Sequence, residues 1–338
     1  MIPSKISARI EQTITDGWYS RAWWLAVFWP LAMVMRCVAY QRRRAFLKNT
    51  PREFRTPVVV VGGITVGGTG KTPVIIALVD ALNQRGLRVG VVSRGYGGSA
   101  GNHPVRVTPN ADPRVVGDEP LLIALKTGCP TVVCRRRKAA LALLESDSLD
   151  LILSDDGLQH YAMARAFEVV VLDAHRGVGN GHLIPMGPLR EPVDRLASVD
   201  WVLYRSGSDP ASAVTYQLLG FRHLLSDTFV SVADAKSQWL QDSSHQLALV
   251  AAIGQPEQFF QTLRDQGFIG ETFAYADHHR LPADKLNLIR ADVIITTEKD
   301  AVKMTDSSDQ RVWVLEIAAQ LPPALINTLV SRFTKEVA

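Results

Sequence analysis

Residues 62–72, GGITVGGTGKT, put Gly67, Gly68 and Gly70 immediately before Lys71 and Thr72. Glycines at this spacing let consecutive backbone N–H groups curl around phosphate oxygens, and a helix starting at such a turn adds partial positive charge. In that arrangement Lys71 reaches the β and γ phosphates of ATP, and the Thr72 hydroxyl faces Mg²⁺. The nucleotide cradle then comprises Thr65, Val66, Gly67, Gly68, Thr69, Gly70, Lys71 and Thr72. Thr65 stands where the strict G-x-x-x-x-G-K-[ST] pattern has its first glycine, although Gly62 and Gly63 lie just upstream. A glycine-rich turn with an accidental Lys-Thr is the bland alternative. The flanking strand and helix patterns weigh against it.

A second cluster is Asp155-Asp156-Gly157, which follows the apolar run LILS. An acid at the C-terminal end of a buried strand binds Mg²⁺ directly or through water, whereas Asp-Gly is also an ordinary turn dipeptide. Beside a phosphate loop, metal duty for at least one of the two is the better reading, and the sequence does not separate them. Arg190, in PLREP, offers a guanidinium for bidentate contact with a transferring phosphoryl group. Gln159 and His160 are candidates for contacts around substrate or metal, and Arg94, in SRGYG, for holding a loop near an acceptor. Asn180, in GNG, suits a turn with positive φ.

These residues need a scaffold. The β-branched run at 57–61 reads as a buried parallel strand, and TPVIIALVDALNQRG after the loop has helical apolar spacing that stops at Gly86. Further strands at 88–92, 131–134, 151–154, 168–173 and 201–204 alternate with helical stretches. The expectation is an α/β fold: a P-loop NTPase-like, mainly parallel sheet with helices on both faces. A second, smaller α/β unit is expected from strands at 247–253, 271–275, 293–297 and 312–315. The boundaries read as 1–50 for an N-terminal anchor, 51–210 for the P-loop core, 211–235 for linker strands and 236–338 for the smaller unit.

At 338 residues and 47% apolar the chain can bury two cores, and 21% charged residues exclude both a disordered chain and a polytopic membrane protein. Cys37, Cys129 and Cys134 follow no zinc spacing and suit a reducing compartment. Residues 1–55 hold ten Lys and Arg against three acids, +7, so the remaining chain carries −3 of the +4 total. Such an asymmetry favours an anionic membrane surface over nucleic acid. Residues 22–35, AWWLAVFWPLAMVM, are uninterruptedly apolar; as a helix they span about 21 Å, short of the roughly 30 Å hydrocarbon core. With Trp23, Trp24 and Trp29 inside the run and Arg42, Arg43, Arg44 and Lys48 after it, the reading is a helix dipping into one leaflet. Two other interpretations compete: a secretory signal peptide, for which no convincing small-x-small cleavage site follows, and, more strongly, a buried core helix.

Beyond these local features, VGGTGKTP (66–73), SRGYGG (93–98), GDEPLLIA (117–124), DDGLQH (155–160), GNGHLIPMGPLREP (179–192), DHH (277–279) and TTEKDAVK (296–303) occur in one order. In these motifs the chain resembles the tetraacyldisaccharide 4'-kinase family, the lipid A kinases of Gram-negative bacteria. The resemblance implies transfer of the ATP γ-phosphoryl group to the 4'-hydroxyl of a tetra-acylated disaccharide 1-phosphate, giving lipid IV-A at the cytoplasmic face of the inner membrane. It singles out Asp118 as the group that takes the hydroxyl proton, with His278 as its partner. From the residues alone Asp118 equally suits a helix N-cap, and Glu119 either assists the metal or favours the helix dipole. His279 reads as a packing or surface residue. Lys299 and Asp300 touch either nucleotide or a domain interface. The chain departs from the family at YAMARAFE after DDGLQH and at AIGQPEQ (252–258), where a form like GIGNPER is usual; the second change bears on how the two units meet. Two other functions compete: a kinase for a soluble sugar or nucleoside, and a membrane-bound P-loop switch, for which TEKD (297–300) is a partial echo of a guanine-reading box.

Overall fold

A computed structural model of the chain describes residues 5–49, 51, 54–240, 245–277, 279, 281 and 283–334. The strands, in chain order, are β1 (Val58–Gly62), β2 (Val89–Ser93), β3 (Val105–Arg106), β4 (Thr131–Val133), β5 (Leu151–Asp155), β6 (Phe167–Asp173) and β7 (Trp201–Arg205). They continue with β8 (Ala213–His223), β9 (Phe229–Ser231), β10 (Leu247–Ala251), β11 (Glu271–Ala274), β12 (Val293–Thr297) and β13 (Val312–Gln320). Among the described residues they form one sheet of 13 strands, ordered β11-β10-β12-β13-β8-β7-β6-β1-β5-β2-β4-β3, with β9 beside β8.

β1 shows why the first half is layered. Its four valines are buried and alternate between two cores. Val59 and Val61 pack with Val74, Ile75, Leu78 and Leu82 of the helix Lys71–Gln84. Val58 and Val60 pack on the opposite face with Ala140, Leu141 and Leu144 of the helix Arg137–Leu144. A strand buried on both faces must be apolar throughout, whereas the helix needs only one stripe. β1 runs parallel to both β5 and β6, and β2 runs parallel to β5. Gly62, Ser93, Asp155 and Asp173 therefore end at one edge, the place where open α/β sheets bind ligands.

β8 belongs to both halves. Ala213 and Val214 pair in parallel with β7, and Thr215 onward pairs antiparallel with β13. The stretch expected as linker strands is thus one long strand with a short partner, β9. β13 continues to Gln320, well past the expected Leu315, because it pairs along the whole of β8. That return carries the closing helix Pro323–Phe333, expected with the smaller unit, into the first core through Leu325, Ile326, Leu329 and Phe333. The far half buries its own two layers around β10 and β12.

The apolar run at 22–35 is not one α-helix. A helix Lys5–Ser20 leads into a 3₁₀ helix Trp23–Phe28 and then a helix Trp29–Lys48. Pro30 sits in the first turn of the last helix, where its missing N–H costs nothing, so helix propagation starts there and runs through Arg42, Arg43 and Arg44. The segment rests on the first half: Trp18 Nε1 donates to the Pro185 carbonyl at 2.9 Å, and Phe46 packs on Tyr161. Trp23–Lys48 is long and apolar enough to cross a membrane by length and composition. Cys37, Cys129 and Cys134 are free thiols.

Candidate active site

The loop between β1 and the helix Lys71–Gln84 is shaped by residues outside it. Thr65 is buried and bridges to Leu189, and the Val66 N–H donates to the Pro188 carbonyl at 2.8 Å. Extended pairing needs no glycine, which is why threonine serves at the position where the strict pattern has one. The left-handed φ values fall instead on Gly67 (99°) and Gly70 (80°). The Gly63 carbonyl accepts from Gln159 Nε2 and from an Arg190 terminal nitrogen, both at 3.0 Å. The Gly70 carbonyl accepts from Tyr216 Oη at 3.1 Å, and the Gly68 carbonyl from Gln255 Nε2 at 2.9 Å.

The cradle fits a polyphosphate. Among the described residues the N–H groups of Gly67, Gly68, Thr69 and Gly70 donate to no backbone carbonyl, and a Cβ at Gly67 or Gly68 would meet open space. Lys71 Nζ lies 3.4 Å from both Thr69 Oγ1 and Asp156 Oδ1.

The paired aspartates part company chemically. Asp156 takes a positive φ of 46°, which turns its carboxylate toward Lys71 and Arg190. Arg190 grips it with both terminal nitrogens, at 2.7 and 2.8 Å. Burial raises the Asp156 carboxyl, but the charges of Lys71 and Arg190 overcome this and hold it well below the usual carboxylate range. Asp155 is buried, accepts from Ser93 Oγ at 2.8 Å, and keeps Oδ1 without a partner. Burial, with Glu119 and Asp156 beside it, pushes its carboxyl up to about 6, against the opposing Ser93 hydrogen bond and Arg137. An orphaned buried carboxylate oxygen among negative charges calls for a cation. Among the described residues no three acids, histidines or cysteines gather as a protein cage for a metal. The donor set here suits Mg²⁺, which takes one or two protein oxygens and completes its shell from phosphate and water. Asp155 and Thr72 are the residues that would hold it.

Asp118 is buried as the first residue of the helix Asp118–Thr127, and the N-cap is Gly117, at φ 90°. The N-cap role thus belongs to glycine. The Asp118 carboxylate accepts from the Glu119 N–H at 2.9 Å, with Lys303 Nζ 4.0 Å away. Gly117 is needed for close approach: a Cβ there would come 2.8 Å from the Tyr96 carbonyl, as one at Gly98 would come 2.4 Å from that of Val115. SRGYGG and the chain before GDEP are therefore packed backbone on backbone. Glu119 pairs with Lys299 at 2.9 Å, and Lys299 also reaches Asp277 at 3.2 Å. Burial opposes the Lys299 charge, but Glu119, Asp118 and Asp277 hold its ammonium well above the usual range. Lys299 is accordingly an interface residue, tying the Asp118 helix to the far half. Asp300 is consumed locally by Ala252 N–H, Thr297 Oγ1 and Lys303, so the partial echo of a guanine-reading box is spent on structure.

His278 lies outside the described residues. Its neighbour His279 stacks on Tyr275 and meets Lys285 at 2.9 Å, a packing role. His160 is half-buried and held down to about 4 by burial and by Arg137, Arg165 and Arg94. Arg94 is exposed, and its charge weighs on Arg137 and His160. Asn180 does not take the positive φ; Gly179 and Gly181 do, and the Asn180 amide closes their loop on the Met186 carbonyl. The structure adds Tyr216, Gln255 and Gln258 to the site, the last donating to Asp173 at 3.3 Å. Polar side chains on a strand and at a helix start carry no motif, and only AIGQPEQ marked the place.

A family model described as tetraacyldisaccharide-1-P 4'-kinase matches residues 24–334. The chain is 45% identical over 324 residues to the tetraacyldisaccharide 4'-kinase of Azotobacter vinelandii, covering 94% of this chain and 96% of that one. It is 39% identical over 327 residues to the enzyme of the same name from Alcanivorax borkumensis, covering 96% and 98%. The crystal structure of LpxK from Aquifex aeolicus in complex with ATP shares the fold, with a TM-score of 0.74 at 20% identity over 91% of this chain and 99% of that one.

Proposed function

The chain belongs to the tetraacyldisaccharide-1-P 4'-kinase family, and on that premise we propose that it transfers the γ-phosphoryl group of ATP to the 4'-hydroxyl of a tetra-acylated disaccharide 1-phosphate. The observation that carries the reading is the divided duty of the adjacent aspartates. Asp156 is saturated by Lys71 and Arg190, while Asp155 keeps a buried oxygen for a cation beside a loop of open amides.

The residues divide the work as follows. The amides of residues 67–70 and Lys71 hold the phosphates, and Arg190, steadied by Asp156, supplies charge next to the loop. Mg²⁺, when bound at Asp155 and Thr72, neutralises charge on the phosphates. Asp118 accepts the proton of the 4'-hydroxyl as that oxygen bonds to the γ-phosphorus; the bond from phosphorus to the β-phosphate oxygen breaks, and ADP leaves with its electron pair. Glu119, which faces Asp155 and binds Lys299, orients this helix start rather than supplying a first metal ligand. His278 is the proposed partner of Asp118 on the strength of the resemblance.

The acceptor's acyl chains remain in the bilayer, so the site must come to them. Trp23, Trp29 and Val34 are each more than half exposed on a segment that lines a cleft with residues 181–183 and 192–194, on either side of Arg190 in the chain. This supports attachment to the cytoplasmic face of the inner membrane, with Arg42, Arg43 and Arg44 near anionic headgroups.

The test is incubation of the purified protein with ATP-Mg²⁺ and the acceptor in detergent. Phosphorylated lipid is expected; ATP turnover without it would sink the reading. Asp118→Ala is expected to cut transfer about 10²- to 10⁴-fold with ATP affinity unchanged.

A further inference from the structure

Two side chains from outside the strand–loop–helix unit hold the phosphate loop by its carbonyls. Tyr216 lies on β8, where that strand passes between the two halves, and its Oη donates to the Gly70 carbonyl at 3.1 Å. Gln255 stands at the start of the helix Pro256–Asp265 in the far half, and its Nε2 donates to the Gly68 carbonyl at 2.9 Å. A trans peptide is planar, with C=O and N–H pointing opposite ways. The peptide units that carry these two oxygens also carry the N–H groups of Lys71 and Thr69. Anchoring the oxygens outside the loop turns those amides toward its concave side.

Further observations agree. A Cβ on Gly70 would come within 2.4 Å of Tyr216 Oη, so the absence of a side chain at residue 70 admits the tyrosine. Burial pushes the Tyr216 hydroxyl up to about 12, which keeps it a donor. Gly254 sits against the loop as well, its Cβ position 3.6 Å from the Gly68 nitrogen.

We infer that Tyr216 and Gln255 are positioning residues of the phosphate loop, holding two of its carbonyls outward so that the Lys71 and Thr69 amides face the triphosphate. The nucleotide site is therefore complete only when the far half is seated on the loop. This rests on the proposed reading of the loop as an ATP site.

Near-isosteric variants test it. Tyr216→Phe removes one hydroxyl, and Gln255→Met removes the donating amide at similar length without adding charge. MgATP is titrated calorimetrically into the full-length protein, wild type first. Failure of the wild type to bind would overturn the ATP reading itself. If it binds, each variant is expected to raise Kd by about 3- to 10-fold, the worth of one hydrogen bond. The acceptor KM should stay unchanged, and the melting temperature without nucleotide should stay within about 2 °C of wild type. Wild-type affinity in both variants would overturn the inference, as would a loss that falls equally on acceptor KM and melting temperature.

Discussion

Arg190 and Asp156, 34 residues apart in the chain, form a two-pronged ion pair beside the phosphate loop, and the same guanidinium reaches the Gly63 carbonyl. Three contacts from one planar group set the height of Arg190 against Lys71. A lysine has one compact ammonium and cannot span both carboxylate oxygens and a carbonyl. Arg190→Lys should lower kcat about 10²-fold at saturating ATP, measured by steady-state phosphorylation of the acceptor. A kcat equal to wild type would show that the fork geometry is unused.

Asp155→Asn and Asp156→Asn should fail differently. The first removes the buried oxygen assigned to the cation, so the Mg²⁺ concentration for half-maximal rate should rise at least about 10-fold. The second frees Lys71 and Arg190, so kcat should fall with the Mg²⁺ requirement little changed. Mg²⁺ titrations of both variants decide this, and identical curves would undo the division of duty.

Trp23 is 87% exposed, Val34 56% and Trp29 54%, although Leu25 between them is buried. Replacing the three with serine should release the protein from anionic vesicles in a flotation assay without lowering its melting temperature. Raising salt should weaken binding of the wild type through Arg42, Arg43 and Arg44. Undiminished flotation of the triple variant would move the anchor elsewhere.

His160 predicts acid sensitivity. Its folded pKa of about 4 lies below the ordinary value of about 6.5. Between those values the unfolded chain binds a proton that the folded protein does not, so stability falls as pH drops through the window. His160→Gln should therefore lose less stability than wild type between about pH 7 and about pH 5, read as urea midpoints. Parallel losses would assign the sensitivity to another group.

Much of the first half was legible because its signals are local. The valines of β1, the glycines before Lys71 and the apolar stripe after it each specify a neighbouring conformation without help from distant chain. The elements that differed from expectation depend on long-range pairing. β13 is long because β8 lies beside it, and the closing helix joins the first core because β13 delivers it there. The N-terminal run looked like a single helix because hydropathy does not register where Pro30 lets a helix begin.

The sequence by itself determined that a phosphate loop, a pair of strand-end carboxylates and a basic, tryptophan-rich leader belong to one chain, since residue type and spacing suffice for each. Which aspartate is spent on cations and which keeps a free oxygen was decided only by the tertiary structure. That outcome depends on Arg190, Lys71, Ser93 and Glu119 converging from separate elements, and on burial that raises the cost of any charge left unpaired. The roles of Tyr216 and Gln255 are of the same kind. A hydroxyl and an amide acquire meaning only from the carbonyl they reach.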